Sequence, residues 1–225
     1  MAVSVADRFI ELLLKAEVLR FGEFKTKSGR LSPFFFNTGQ FDSGQRLSDA
    51  CELYAETIAA HFGNTVDNLF GPAYKGIPLA VMTAGKLAAR LGRDVSFTFN
   101  RKEAKDHGEG GLLVGRSYQG GEKVIVVEDV ITGGTSIGET MPLLKKARVD
   151  VAGIVVGIDR QEAGAGGELS ARGEIERKWG VPVLALVNLD EVVGRLHNRE
   201  CRGKVWIDDA LRARIDAYRS QYGRR

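Results

Sequence analysis

Cysteine is scarce in this chain of 225 residues: two occur, Cys51 and Cys201. They stand far apart in no metal-binding or redox spacing, which reads as two free thiols in a reducing compartment rather than a disulfide framework. Long apolar runs are missing too. No stretch approaches the ~20 apolar residues a membrane-spanning helix needs, and Leu12-Leu13-Leu14 is too short for a signal-peptide core. Nor is there much excess of one charge. The 32 basic and 29 acidic residues leave +3, too little to argue for a nucleic acid or a membrane as partner. Three histidines, His61, His107 and His197, form no metal-ligand cluster. Internal repeats, low-complexity tracts and linkers are absent, so a single domain spanning residues 1–225 of a cytoplasmic protein is expected.

What the chain does have is a regular alternation of helix-like and strand-like segments. Val5, Phe9, Leu12 and Leu13 mark the apolar face of a first amphipathic helix. Residues 43–62 read as a second, with Leu47, Cys51, Tyr54, Ile58 and Phe62 on one face and Gly63 behind it. A short strand over 68–72 precedes a helix from Leu79 to Leu91, and 94–100 is strand-like. Residues 123–127, 151–158 and 181–189 are near-continuous apolar, β-branched runs, which suit central strands buried on both faces. Crossover helices are expected over 136–148 and 168–179. The pattern predicts an α/β fold, an open and mostly parallel sheet flanked by helices, with ligands at the carboxyl ends of the strands. Residues 21–39 break the rhythm and predict a small N-terminal hood, its elements within about 1–42.

The most informative stretch runs Lys123-Val-Ile-Val-Val-Glu128-Asp129-Val130-Ile131-Thr132-Gly133-Gly134-Thr135-Ser136. An apolar strand ends in two adjacent carboxylates, then a Gly/Thr/Ser loop, then a helix. Glycines let backbone N–H groups approach an anion closely, hydroxyls add donors, and the helix start presents unsatisfied N–H groups and a positive dipole end. A phosphate cradle beside acids that can accept hydrogen bonds from sugar hydroxyls suggests a phosphorylated sugar. Taken alone, the pair could also be a solvated strand end.

Three further segments carry chemistry. Residues 100–111 place Arg101, Lys102, Lys105 and His107 within seven positions, among acids and before three glycines. With no apolar periodicity, the segment reads as an exposed, mobile loop; a solvated face is the plain alternative. Gly71-Pro-Ala-Tyr74-Lys75-Gly76 leaves a strand and enters a helix, but Ile77-Pro78 replaces the Lys-[Ser/Thr] of a Walker A loop. In the hood, Lys27 precedes the aromatic run Phe34-Phe35-Phe36, a run that on its own also suits core packing. Arg160 follows an apolar strand, where a guanidinium could grip a carboxylate bidentately or lie on the surface.

From about Phe9 to Asp190, these motifs in this order resemble the bacterial orotate phosphoribosyltransferases, members of the type I phosphoribosyltransferases. The resemblance implies transfer of the 5-phosphoribosyl group from phosphoribosyl pyrophosphate (PRPP) to orotate, a step of pyrimidine (UMP) biosynthesis. It implies that Glu128 and Asp129 hold the ribose hydroxyls, and that Val130, Ile131, Thr132, Gly133, Gly134, Thr135 and Ser136 hold the 5′-phosphate. Lys27, Tyr74, Lys75, Arg101, Lys102, Lys105 and His107 inherit the remaining PRPP contacts, and Lys105, Asp129 and Lys102 the catalytic roles. Phe35, Phe36, Thr132 and Arg160 inherit orotate. The implied cofactor is Mg²⁺, held mainly by PRPP itself rather than by protein ligands, and the implied assembly is a homodimer with shared active sites.

Departures are mild. Glu128 stands where close bacterial relatives often carry Asp, Ala163 and Ala165 where arginine is common, and residues beyond 190 match weakly and receive no role. A purine-specific relative should lack the hood and the basic loop. A PRPP sensor that regulates transcription should carry a DNA-binding element, and no helix-turn-helix or basic arm is evident.

Overall fold

The Ser4 hydroxyl accepts from the Asp7 amide and starts the first helix, α1 (Val5–Lys15), with Phe9, Ile10, Leu12, Leu13 and Leu14 buried. The computed structural model describes residues 3–26, 29–105 and 111–224. Strands β1 (Leu19–Lys25) and β2 (Leu31–Phe36) pair antiparallel as a separate two-stranded sheet. Then follow α2 (Gly44–Phe62), β3 (Asn68–Gly71), α3 (Gly76–Leu91), β4 (Ser96–Lys105), β5 (Gly111–Gly115), β6 (Lys123–Ile131) and α4 (Thr135–Lys146). The chain continues through β7 (Asp150–Asp159), α5 (Ala171–Trp179), β8 (Val183–Asn188) and α6 (Leu189–Leu196) to a small ribbon, β9 (Glu200–Cys201) and β10 (Lys204–Val205), and ends in α7 (Asp209–Tyr222).

Six strands form the main sheet in the order β5-β4-β3-β6-β7-β8, parallel throughout except for the edge strand β5. Successive side chains of a strand point to opposite faces, and β6 uses both. Ile125 and Val127 pack with α1, α2 and α3, whereas Val124 and Val126 pack with Ile137, Met141 and Leu144 of α4 and Ile175 of α5. This two-sided burial explains why the strand reads as a continuous apolar run. The order reverses between β3 and β6: the chain winds outward to β4 from one and to β7 from the other. Such a switch point opens a crevice at the carboxyl ends of the two strands. Both cysteines are buried and unpaired.

The mostly parallel α/β sheet agrees with the sequence reading, and predicted helices start and stop within a few residues of the observed ends. Three details differ. The segment read as an irregular basic loop is ribbon at its base, because β4 runs on to Lys105 and pairs with β5 through Asn100↔Leu113 and Lys105↔Gly111; cross-strand hydrogen bonds need no apolar periodicity. Its tip, residues 106–110, lies outside the described residues. Within the span read as hood, α1 packs on α2 and β8, in one core with Leu19, Phe34 and Phe36 of the hairpin. Finally, α7 packs against β2, so the far end of the chain holds the hood in place.

Candidate active site

Two loops meet at the switch point. The first, between β3 and α3, is drawn tight by its glycines: a Cβ on Gly71 would lie 2.3 Å from the Gly76 carbonyl oxygen, and one on Gly76 2.9 Å from that of Val127. No other residue fits at either place. This packing leaves Tyr74 and Lys75 projecting outward, Tyr74 being largely exposed. Asn100 on β4 accepts from the Ala73 amide at 3.0 Å and steadies the turn.

The second loop joins β6 to α4. Gly134 takes a left-handed conformation, φ 76°, at the helix start. The loop from Thr132 to Ser136, with Glu128, Val130 and Ile131, encloses a cavity of about 240 Å³. Five helices begin on a side-chain cap: Ser4, Ser43, Ser170, Asn188 and Asp208. Helices α3 and α4 have none. In α3 the Gly76 and Ile77 amides donate to the Pro72 and Tyr74 carbonyls at 3.0 and 3.3 Å, and Pro78 has no N–H. The start of α4 carries no such cap, and a bound anion is the natural way to satisfy its first N–H groups.

Glu128 and Asp129 are buried at the end of β6. Ser136 donates to Glu128 Oε2 at 2.5 Å, and the Asp129 amide donates to its Oε1 at 3.0 Å. The Glu128 carboxyl is pushed up to about 7, first by burial and then by the neighbouring Asp129 charge. From beneath, the buried Tyr54 hydroxyl donates to the Glu128 carbonyl oxygen at 2.8 Å. Asp129 accepts from Thr38 of the turn after β2, and Lys75 Nζ stands 3.2 Å from its Oδ2 and 3.0 Å from the Thr38 hydroxyl. Acid pair and anion loop thus adjoin, with a lysine from the first loop across from them. Thr38, Tyr54 and Asn100 escaped the sequence reading as site residues. Only Thr38 leaves no trace at all in the pattern; the others were visible as helix-face and strand residues.

The remaining predicted residues divide. Arg160 follows β7, whose Asp159 pairs in register with Ile131 of β6, so it stands beside Thr132 at the same sheet edge. The guanidinium is buried, with its Cζ 5.1 Å from the centre of the Phe34 ring. Phe35 is partly exposed and stacks on Phe24 at 5.4 Å, while the Phe36 ring is in the core against Phe34; Phe36 has its backbone, not its ring, to offer a ligand. Arg101 donates to the Gly111 carbonyl at 3.2 Å, and Lys102 Nζ lies 3.8 Å from Glu139 on α4. Lys27 and His107 lie outside the described residues, as does the side chain of Lys105. Among the described residues, no three His, Cys, Asp or Glu side chains converge as a metal cage.

Residues 37–166 match the model of the phosphoribosyl transferase domain. An orotate phosphoribosyltransferase of Lachnoclostridium phytofermentans is 50% identical over 216 residues, 96% of each chain. That of Clostridium acetobutylicum is 47% identical over 218 residues, 96% of this chain and 97% of the relative. The chain belongs to the orotate phosphoribosyltransferase family. Its fold agrees: a crystal structure of the Francisella tularensis orotate phosphoribosyltransferase superposes with a TM-score of 0.80 at 37% identity, covering 96% of this chain and 98% of that one. The domain model begins at residue 37 and stops at 166, whereas the full-length relatives also match the hood and the C-terminal helices.

Proposed function

We infer that this enzyme transfers the 5-phosphoribosyl group from PRPP to orotate, giving orotidine 5′-phosphate and pyrophosphate. One observation carries the reading: the uncapped start of α4, the Lys75 ammonium of the β3–α3 loop and a buried acid pair share the crevice between β3 and β6. A ribose bearing phosphate at one end and pyrophosphate at the other matches that layout. The 5′-phosphate sits on the N–H groups and hydroxyls of Thr132 to Ser136. Glu128 and Asp129 accept from the ribose hydroxyls. Lys75 faces the pyrophosphate, and Arg101, Lys102 and Lys105 reach it from the β4–β5 flap.

In the reaction the C1′–oxygen bond of PRPP breaks, its electron pair leaving with pyrophosphate; orotate N1 gives up its proton to the departing pyrophosphate and forms the new bond to C1′ from the opposite face. Positive charge develops on the sugar and is offset by the nearby Asp129 carboxylate, acting through the hydroxyls it positions. Cations fixed around the leaving group stabilise its charge as it builds. The donor set fits Mg²⁺ arriving on its substrate: the Glu128 and Asp129 carboxylates suit a hard cation. When bound, the ion supplies charge neutralisation to the pyrophosphate. Arg160 takes the orotate carboxylate, with Phe35, the Phe36 backbone and Thr132 around the ring. The working assembly in this reading is a homodimer in which each subunit lends its flap to the other's site. No described helix is long and apolar enough to cross a membrane, and the two free thiols support a cytoplasmic location.

Pyrophosphate release tests the reading. The protein is incubated with PRPP, Mg²⁺ and, in separate reactions, orotate, uracil, adenine or hypoxanthine. Turnover with orotate is expected; turnover with a purine alone overturns the substrate assignment.

A further inference from the structure

Arg160 does not stand by itself. Its Nε and Nη2 both donate to Glu162 Oε1, at 2.8 and 2.5 Å. The Tyr218 hydroxyl, on α7, donates to the same oxygen at 2.9 Å and lies 3.4 Å from Arg160 Nη2. Arg160 and Glu162 are each 7% exposed, so these bonds form away from bulk water, where they are strongest. Arg30, from the turn of the hood hairpin, approaches Glu162 Oε2 at 3.8 Å and stacks over the Tyr222 ring. Two guanidinium groups therefore face one carboxylate, and the cluster keeps a net positive charge.

The geometry of the fork matters most. Glu162 occupies the Nε/Nη2 edge of the guanidinium, and the Phe34 ring covers one face. That leaves the Nη1/Nη2 edge, which also presents two N–H donors to a carboxylate. Among the described residues Nη1 makes no hydrogen bond. The backbone is tied down as well: Ala163 N donates to the Tyr222 carbonyl at 2.8 Å, and Arg224 N to that of Gln161 at 2.9 Å. The last turn of the chain thus pairs with the loop that carries Arg160.

We propose that Glu162 and Tyr218 are positioning residues for Arg160, through which the C-terminal helix sets how tightly the enzyme holds the carboxylate of its acceptor base. An arginine on a flexible stem loses rotamer entropy when it grips a ligand; one already fixed along a single edge has lost most of it beforehand. The proposal rests on the reading that Arg160 takes the orotate carboxylate.

Steady-state kinetics on the full-length enzyme, with melting temperatures as a folding control, test it with Tyr218→Phe, Glu162→Ala and Arg160→Met. Glu162→Ala is expected to raise KM for orotate about tenfold or more, the scale of a lost charge-assisted hydrogen bond. Tyr218→Phe, which keeps the ring and its packing, should raise it about threefold. KM for PRPP should stay within about twofold for both, a split that general loosening of the fold does not produce. If Arg160→Met raises KM for orotate and the other two do not, positioning is wrong and the carboxylate assignment stands. If Arg160→Met itself leaves KM for orotate unchanged, the assignment fails and takes the proposal with it. Equal rises in both KM values overturn positioning in favour of a structural role. Should Glu162→Ala melt far below the parent, Tyr218→Phe decides.

Discussion

Thr38 and Asp129, 91 positions apart in the chain, are joined by a hydrogen bond from the threonine hydroxyl to the carboxylate, and Lys75 Nζ lies 3.0 Å from that hydroxyl. The turn after the hood hairpin thereby holds the acid at the end of β6. Thr38→Val removes the hydroxyl while keeping the shape. It is expected to lower kcat/KM for PRPP about tenfold, the scale of one hydrogen bond to a charged group. Thr38→Ser should restore most of the loss. An unaltered kcat/KM in Thr38→Val shows that Asp129 needs no such support.

Lys105 belongs by its backbone to β4, on the ribbon that leads toward the flap tip. Stabilising charge that builds on a leaving group acts on the transition state more than on the bound substrate. Lys105→Ala should therefore lower kcat on the order of 10²–10³ and change KM for PRPP far less. Single-turnover measurement of orotidine 5′-phosphate formation checks this, and an unchanged rate removes the flap from the chemistry.

Glu128 gives a pH signature to the ligand-free protein. Its carboxyl rises from 4.5 to about 7 in the folded state, so between these values the folded chain binds more protons than the unfolded one. The stability this group contributes is then fully present below its unfolded pKa and is lost as pH rises through its folded pKa. Glu128→Gln removes the effect. The melting temperature of the variant, relative to the parent, should climb between about pH 5 and about pH 8. A constant difference across that range contradicts the shift.

The proposed sharing of active sites makes a stoichiometric prediction. Lys105→Ala and Asp129→Asn chains are each expected to be nearly inactive. If flap and acid pair come from different subunits, co-expression should restore about a quarter of parental activity, since half the dimers are mixed and each has one intact site. No recovery in verified mixed dimers places flap and acid pair in the same subunit.

Much of this molecule could be read before folding it. The apolar run ahead of Glu128 marked a central strand because both its faces are covered, and the glycines and hydroxyls after Asp129 marked an anion loop. Local chemistry and spacing carry such features, since neighbours in sequence stay neighbours in space. The β4–β5 ribbon was harder, because an exposed antiparallel pair leaves little apolar periodicity. The support from Thr38 and the cluster around Glu162 were harder still, since each joins segments far apart in the chain.

The chain's own order of residues determined which groups exist: a carboxylate doublet, a cradle behind it, a basic flap and an arginine after an apolar strand. Tertiary structure alone decided who holds whom. Reversal of strand order between β3 and β6 set the Lys75 loop and the uncapped start of α4 at one crevice, and packing of α7 on β2 brought Tyr218 to Glu162 and Arg160. Hydrogen bonds act over about 3 Å, so residues 56 positions apart, as Glu162 and Tyr218 are, can meet only once the whole fold has closed.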